Sequence, residues 1–193
     1  LAHTWWSFIL MLIPVSQLVI DLFNQLLYSI HRPVNTFKLK FEETIPDEYA
    51  TMVIIPTIVK NPAKVEAMLD QLEVYYLSNR RNETDEDNIF YTLVGDASAE
   101  KTEDMPWDGE VVEAGLAKVK ELNSKYGREI FNFVYRRRRW SEGENCFLGY
   151  ERKRGAILHF NDLLLGNLTE EQKEKYFRCE TISRHDYNIK FII

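Results

Sequence analysis

Residues Cys146 to Asn161 read CFLGYERKRGAILHFN, a basic turn followed by a helical pattern. Three consecutive cations, Arg152 to Arg154, precede Gly155 and an apolar-periodic segment whose spacing predicts a helix packed on a sheet. Positive charges at a helix N-terminus oppose the helix dipole, so helix stability alone does not explain them. The free N–H groups, the dipole and the cations together favour an anion such as phosphate. The alternative is a solvated basic turn.

Strand-like and helical segments alternate on the N-terminal side of this stretch. Near-continuous apolar runs, typical of strands buried on both faces, lie at 50–57, 89–94, 130–135 and 189–193. Helices are predicted after Asn61-Pro62, over 111–126 with Gly127 as the C-cap, from 156 onward, and at Leu168 to Gln172. This alternation predicts βαβ units, a parallel sheet and an α/β fold. A polar surface loop is predicted at 79–88.

Polar residues follow three of the predicted strands. Pro56-Thr57 ends the first, Asp96 follows the second, and Arg136 to Arg139 follow the third. Open α/β sheets bind ligands at the carboxyl ends of their strands, so we expect these groups to meet along one edge. An acid facing several cations suits a nucleotide, since the acid accepts hydrogen bonds from base or ribose and the cations hold phosphates. Taken alone, Asp96 could equally be a turn residue or a helix cap.

The first 30 residues predict a membrane helix. Residues 1–20 contain no Asp, Glu, Lys or Arg, and the apolar pattern continues to Leu27, which is long enough to cross a bilayer. Aromatic residues of the kind found at membrane interfaces lie at both ends: Trp5, Trp6 and Tyr28. The alternative is a buried or interfacial helix, because three polar side chains are costly in lipid: Gln17, Asp21 and Asn24.

Basic residues follow this segment at Arg32, Lys38 and Lys40 and place the downstream side in the cytoplasm by charge bias. We therefore expect a membrane-associated helix over 1–30, a connector over 31–48 and the α/β domain over 49–193. The chain begins without Met and ends within a strand pattern, and we interpret it as an internal part of a longer protein.

Composition limits the partners. With 193 residues, 45% of them hydrophobic, the chain can bury one sizeable core. Its net charge of −6 argues against nucleic-acid binding, although Arg136 to Arg139 could form a local basic patch. Two cysteines form no disulfide framework, which favours a reducing compartment. A zinc site is formally possible but lacks a close pair of ligands; its members would be Cys146, His159, Cys179 and His185. GxGxxG, P-loop and GxSxG motifs are absent from the sequence.

Six motifs occur in a fixed order: VIIPT at 53–57, LEVYYLSN at 72–79, LVGDA at 93–97, LNSKYG at 122–127, RRRW at 137–140 and GYERKRG at 149–155. Together they resemble the glycosyltransferase region of cyclic β-1,2-glucan synthases, and GYERKRG is the most distinctive. The resemblance covers residues 41–193. The segment IPVS at 13–16 is also similar to the helix that precedes this region in the family.

The resemblance implies a GT-A-like nucleotide-diphospho-sugar transferase fold and an inverting mechanism. It implies UDP-glucose as the donor, a β-1,2-glucan as the acceptor and a cyclic β-1,2-glucan as the product. The protein would lie in the bacterial inner membrane with its transferase domain on the cytoplasmic side, and nucleic acid would not be a partner.

The resemblance also implies residues that bind the UDP-sugar. It assigns one group to the uridine pocket: Pro56, Thr57 and Asp96. A second group comes from the basic turn. Lys153 and Gly155 match the K-A-G-like element that related processive transferases place near the donor, and Arg152 and Arg154 are weaker candidates for the diphosphate.

The catalytic base and the metal-binding D-x-D motif of such enzymes are expected beyond Ile193. A divalent cation, Mg²⁺ or Mn²⁺, is therefore expected in the full-length enzyme but not in this part, which we expect to be inactive alone. The alternative is a non-catalytic, membrane-tethered module that binds a nucleotide or another anion.

Overall fold

The computed structural model describes residues 2–31, 41, 44–80, 88–182 and 188–193, with side chains from residue 5 onward. The chain divides into two compact units, Leu1–Lys40 and Phe41–Ile193. Most of the predicted connector, including Arg32, Lys38 and Lys40, lies outside the described residues, as does most of the predicted loop at 79–88.

The first unit contains one helix, α1 (Ala2–Ile30), among its described residues. Its span Trp5–Ile30 is long and apolar enough to cross a membrane, and the described side chains are exposed. At 1.5 Å per residue, 29 residues extend roughly 44 Å, more than the hydrocarbon core requires. Two of the polar side chains satisfy each other, because Gln17 Nε2 donates to Asp21 Oδ1 at 3.0 Å. Membrane insertion of α1 stays a prediction.

The second unit is a mixed α/β domain, as predicted. Its longer elements are β1 (Thr51–Val59), α2 (Pro62–Asn79), β2 (Ile89–Ala97), α3 (Asp108–Tyr126), β3 (Phe131–Arg136) and α4 (Arg152–Leu165). Its shorter elements are a 3₁₀ turn (Asp47–Tyr49), β4 (Arg139–Ser141), β5 (Cys146–Leu148), α5 (Glu170–Tyr176), β6 (Phe177–Glu180) and β7 (Phe191–Ile192).

Five strands form one sheet in the order β6-β3-β2-β1-β7. The pairs β1–β2, β1–β7 and β2–β3 are parallel, whereas β6 runs antiparallel to β3. Strands β4 and β5 form a separate antiparallel hairpin. The sequence did not predict β4, β5 or β6, because strands of three or four residues with charged members carry no clear periodicity.

The predicted N-cap of α2 and the predicted C-cap of α3 are confirmed, whereas α3 begins at Asp108 and not at Val111. Asn61 Oδ1 accepts a hydrogen bond from Lys64 N at 2.9 Å before Pro62, and Gly127 ends α3 with φ 66°. At α5, Thr169 and Gln172 form a reciprocal capping box. These caps satisfy backbone groups that the helices themselves leave unpaired.

The two faces of the sheet bury different hydrophobic clusters. Side chains such as Leu93 and Phe133 pack with α2 and α3, whereas their strand neighbours Val94 and Val134 pack with α4. Because side chains alternate along a strand, the even-numbered residues of β2 and β3 point towards α4. This places Asp96 and Arg136 on the α4 face.

Gly115 provides a test of the packing between α3 and β3. A Cβ at this position would lie 2.3 Å from the ring of Phe133, which is fully buried. Replacing a helical glycine by alanine normally adds up to about 1 kcal/mol to the free energy of unfolding, but overpacking of the core lowers it by about 1–3 kcal/mol. We expect Gly115→Ala to lower the midpoint of urea unfolding. Gly109→Ala, in the same helix with open space around the new methyl group, should not lower it. An equal response of the two variants would contradict the packing described.

Candidate nucleotide-binding site

A cavity of about 320 Å³ lies at the carboxyl ends of β1 and β2. Its lining comes from the two strand ends, the end of β5 and the start of α4: Pro56, Thr57, Ile58, Asp96, Ala97, Ala99, Leu148, Gly149, Arg152 and Lys153. Five of the seven residues singled out in the sequence therefore meet here. Arg154 and Gly155 are not in the lining. The ligand that each residue would contact stays a prediction.

Asp96 lies inside β2 and is not a turn or cap residue, because the strand continues to Ala97. Its carboxylate is buried and accepts a hydrogen bond from Arg136 Nη1 at 2.8 Å. The two residues are register partners on neighbouring parallel strands, which brings their side chains together. Gly149 is the other neighbour, since a Cβ there would lie 2.8 Å from the carboxylate. The absence of a side chain at Gly149 thus makes room for the acid.

Burial raises the pKa of Asp96 to about 6, although the charge and hydrogen bond of Arg136 act in the opposite direction. The same burial lowers the pKa of Arg136. The carboxylate is therefore ionised at neutral pH and becomes protonated in mildly acidic solution. Asp96 is one of the residues that line the cavity, whereas its pairing partner Arg136 is not.

Arg136 connects the ends of β2 and β3 to the basic turn, which comprises residues 149–155. Besides Asp96, its guanidinium donates to the carbonyl oxygens of Tyr150, at 2.8 Å, and Arg152, at 3.2 Å. It also lies 3.3 Å from His159 Nδ1. These hydrogen bonds fix the backbone of the turn. Because the side chain of Arg136 is only 1% exposed, it is not open to a phosphate.

The other members of the arginine cluster are also engaged. Arg138 is fully buried, donates to Asp108 Oδ2 at 2.6 Å and donates to the carbonyl of Ser98. Arg137 donates to backbone carbonyls around α5, and Arg139 lies over aromatic rings. The expectation that this cluster holds phosphates is wrong for Arg136 and Arg138, and so is a basic nucleic-acid patch that includes them. Arg136 pairs with the buried carboxylate of Asp96, 40 residues away in the sequence, and Arg138 pairs with that of Asp108, 30 residues away.

The pKa of Asp108 shows how firmly its pair is held. Burial acts to raise this pKa, but hydrogen bonds from Arg138 and from the backbone N–H of Met105 hold it below its usual value. Arg178 lies 3.1 Å from the same carboxylate. This buried network stabilises the segment after β3 and takes no part in the cavity lining.

The basic turn has an unusual backbone. Glu151 and Arg152 both have positive φ, 51° and 47°, which is uncommon for residues with side chains. Arg152 N donates to the carbonyl of Gly149 at 2.9 Å. A Cβ at Gly155 would lie 1.9 Å from the carbonyl oxygen of Tyr150, so only glycine lets α4 pack this closely against the turn. Such strain is often retained at functional sites.

The three cations of the turn point to different surroundings. Arg152 lines the cavity and forms a salt bridge with Glu144 of the β4–β5 loop. Lys153 lines the cavity and has no ion-pair partner within the part of the chain that the structure describes. Arg154 is 79% exposed in its side chain and lies 3.7 Å from Glu151. Lys153 is thus the cation best placed to meet an anion in the cavity.

His159 was not predicted to belong near the site. Its ring stacks on Tyr176 with centroids 4.1 Å apart, and Tyr150 stacks on it at 6.2 Å. Burial, with the nearby charges of Arg136 and Arg139, lowers the pKa of His159 to about 4. The ring is therefore neutral, and Nδ1 acts as the acceptor because Arg136 can only donate. Only its four-residue spacing from Gly155 on α4 could have indicated its position.

A metal site is not found among the described residues, where no three His, Cys, Asp or Glu side chains group closely enough. His185, one member of the formal zinc set, lies outside the described residues. Cys146 and Cys179 are free thiols, and burial raises the pKa of Cys179 to about 12.

The domain is a mixed α/β fold with a mostly parallel sheet, and its cavity lies at the carboxyl ends of the strands, where open α/β sheets generally bind ligands. Comparison with known proteins identifies a more specific similarity. The chain is 31% identical over 162 residues, 82% of its length, to the protein cyclic beta-(1,2)-glucan synthase NdvB of Rhizobium meliloti (strain 1021). This match spans 6% of that protein's own length. No protein-family model matches the chain. The resemblance to cyclic β-1,2-glucan synthases drawn from the six motifs is confirmed.

The pair Arg136–Asp96 provides a test of the site's construction. Arg136→Met leaves a buried carboxylate without its partner, which typically costs about 3–5 kcal/mol of unfolding free energy. Removing the guanidinium also raises the pKa of Asp96 above about 6, so the loss should shrink as the pH falls from 8 to 5 and the acid becomes protonated. The measurement is urea unfolding across this pH range.

The double variant Arg136→Met with Asp96→Asn is the control. Because it removes both charges, it should be more stable than Arg136→Met alone at pH 8 and lose the pH dependence of the single variant. Additive effects of the two substitutions would show that the pair is not coupled.

Proposed function

We propose that this chain forms the nucleotide-sugar-binding part of an inverting glucosyltransferase that uses UDP-glucose to build cyclic β-1,2-glucan. Two findings support the proposal. The chain is similar to part of a protein named as a cyclic β-1,2-glucan synthase. In the structure, Asp96 and Lys153 line one cavity at the carboxyl ends of β1 and β2. This single juxtaposition of acid and cation carries the proposal.

The lining separates into two chemical ends. Pro56, Thr57 and Asp96 form the strand end, where an ionised carboxylate can accept hydrogen bonds from the N–H of uracil or the hydroxyls of ribose. Arg152 and Lys153 form the other end at the start of α4, where Lys153 and backbone N–H groups can stabilise the charge of a diphosphate, and Arg152 would do so only by leaving Glu144. A nucleoside diphosphate has the same division between a neutral polar end and an anionic end.

Gly155 and Arg154 enter the proposal differently. Gly155 supports the turn that presents Lys153, because it lets α4 approach the carbonyl of Tyr150. Arg154 is exposed beside Glu151 and would reach a diphosphate only after leaving that partner. Its part in binding is correspondingly weaker.

For the whole protein we propose a GT-A-like fold and a divalent cation, Mg²⁺ or Mn²⁺, that supplies charge neutralisation at the departing UDP when it is bound. The residues described here offer no cluster of ligands for such an ion, so this chain's part is to orient the nucleotide and stabilise its diphosphate. In inverting transfer an acceptor hydroxyl attacks the glucosyl carbon as UDP leaves, and a base takes the proton. We assign no residue of this chain as that base.

We also propose that α1 anchors the protein in the bacterial inner membrane, with the α/β domain on the cytoplasmic side. The span Trp5–Ile30 has the length and composition that this role requires. The basic residues that follow this span in the sequence, Arg32, Lys38 and Lys40, favour that orientation.

Binding of uridine and of UDP-glucose tests the two ends of the cavity separately. Loss of a hydrogen bond to a charged group costs about 1.5–3 kcal/mol, so Asp96→Ala should weaken both ligands by roughly 10- to 100-fold. Lys153→Ala should weaken UDP-glucose about 10-fold and leave uridine unchanged, since uridine has no phosphate. Isothermal titration calorimetry on the protein measures both affinities.

Lys120→Ala is the matched control, because it removes an exposed lysine of α3 that does not line the cavity. It should leave both affinities within about twofold, a difference below roughly 0.4 kcal/mol. Unchanged affinities in Asp96→Ala would reduce Asp96 to a structural residue and overturn the proposed orientation.

The raised pKa of Asp96 predicts a pH dependence of nucleoside binding. Only the ionised carboxylate is a pure acceptor, so uridine affinity should fall as the pH is lowered from 7.5 through about 6 to 5. His159, with a pKa of about 4, stays neutral over this range. Asp96→Asn should give a flat profile. A wild-type profile that is flat between pH 7.5 and 5 would show that Asp96 does not accept from the ligand.

A further inference from the structure

A second cavity, of about 530 Å³, lies beside the β4–β5 hairpin. Leu148 and Arg152 belong to the lining of both cavities, so the two are neighbours. Its volume is within the range of about 300–1,000 Å³ typical of ligand pockets. The donor proposed above occupies the first cavity and leaves the second without an assigned ligand.

The hairpin presents a large aromatic surface to this cavity. Trp140 is 49% exposed and is the direct register partner of Phe147 across the hairpin. The two rings meet edge to face, with centroids 5.2 Å apart and planes at 63°. Since this contact holds the indole in place while half of it stays open to solvent, Trp140 offers a preorganised flat face for a ligand.

The charges around the cavity argue against an anionic ligand. Three carboxylates, Glu142, Glu144 and Glu151, face two arginines. Both arginines are engaged, because Arg152 forms its salt bridge with Glu144 and Arg139 lies 5.2 Å from the ring centre of Tyr150. Diphosphate is therefore better accommodated in the first cavity, beside Lys153.

The same contacts argue against a cationic ligand on Tyr150, because Arg139 already lies against that ring and would repel a second positive charge. The features left for a ligand are an exposed indole face and carboxylate acceptors such as Glu142. A neutral pyranose matches both, because its C–H faces pack on aromatic rings and its hydroxyls donate to carboxylates.

We propose that this second cavity binds the growing glucan, a neutral β-linked glucose chain, with one glucose ring packed on Trp140. This inference rests on the proposed function, because the neighbouring cavity must hold the sugar nucleotide for an acceptor to be needed here. Arg152 then separates the two ligands, with its side chain between the diphosphate end of one cavity and Glu144 of the other.

Binding of a short β-1,2-linked gluco-oligosaccharide tests the proposal. Titration calorimetry on the protein measures its affinity and, separately, that of UDP-glucose. Trp140→Ala should weaken the oligosaccharide about 10-fold or more, as expected for loss of a central aromatic contact, and leave UDP-glucose within about twofold. Trp140→Phe keeps a ring and should recover part of the affinity. Glu142→Gln should weaken the oligosaccharide without affecting UDP-glucose.

Tyr75→Ala is the matched control, since it removes a 41%-exposed aromatic of α2 that lines neither cavity. It should leave both ligands unchanged. Wild-type protein that does not bind the oligosaccharide, or Trp140 variants that bind it normally, would overturn the subsite and leave nucleotide binding intact. Failure of UDP-glucose to bind, with Trp140-dependent glucan binding preserved, would instead overturn the proposed function.

Discussion

The candidate site depends on one buried ion pair, Arg136 with Asp96. Two charges inside a protein are tolerated only when each is well hydrogen-bonded, and here a single guanidinium meets the carboxylate and two carbonyls of the basic turn. The pair therefore joins the ends of β2 and β3 to the start of α4. Any ligand that reaches Asp96 meets a carboxylate whose position is already determined. Such preorganisation lowers the entropic cost of binding.

Close contacts around the turn impose a second constraint. Gly149 leaves room for the carboxylate, and Gly155 leaves room for the carbonyl of Tyr150. The segment between them includes two residues with positive φ, Glu151 and Arg152, at the point where α4 begins. Neutral His159 stacks on Tyr150 of the turn and on Tyr176. Packing and hydrogen bonds thus hold the backbone of the basic turn, so each of its three cations can have a different role.

In the proposed function, the two neighbouring cavities hold the donor and the acceptor of a transfer reaction. The first combines an acid with Lys153 and suits a nucleotide, whereas the second combines an indole with carboxylates and suits a neutral sugar. Arg152 contacts both environments and is bound to Glu144. A diphosphate that attracted Arg152 would compete with that salt bridge and so connect donor binding to the β4–β5 hairpin.

Local patterns in the sequence determined the α/β alternation, the helix caps and the family resemblance. They also placed Asp96 at the carboxyl edge of the sheet, because apolar runs, caps and strand ends are short-range features, whereas the expectation that Lys153 lies near the same ligand came from the family resemblance. Only the tertiary structure decided which arginines line the cavity. Arg136 and Arg138 find carboxylates distant in the sequence, and burial follows from strand register and packing that no local pattern contains. Local patterns also do not contain the short hairpin β4–β5 and its cavity, because three-residue strands gain their stability from cross-strand pairing.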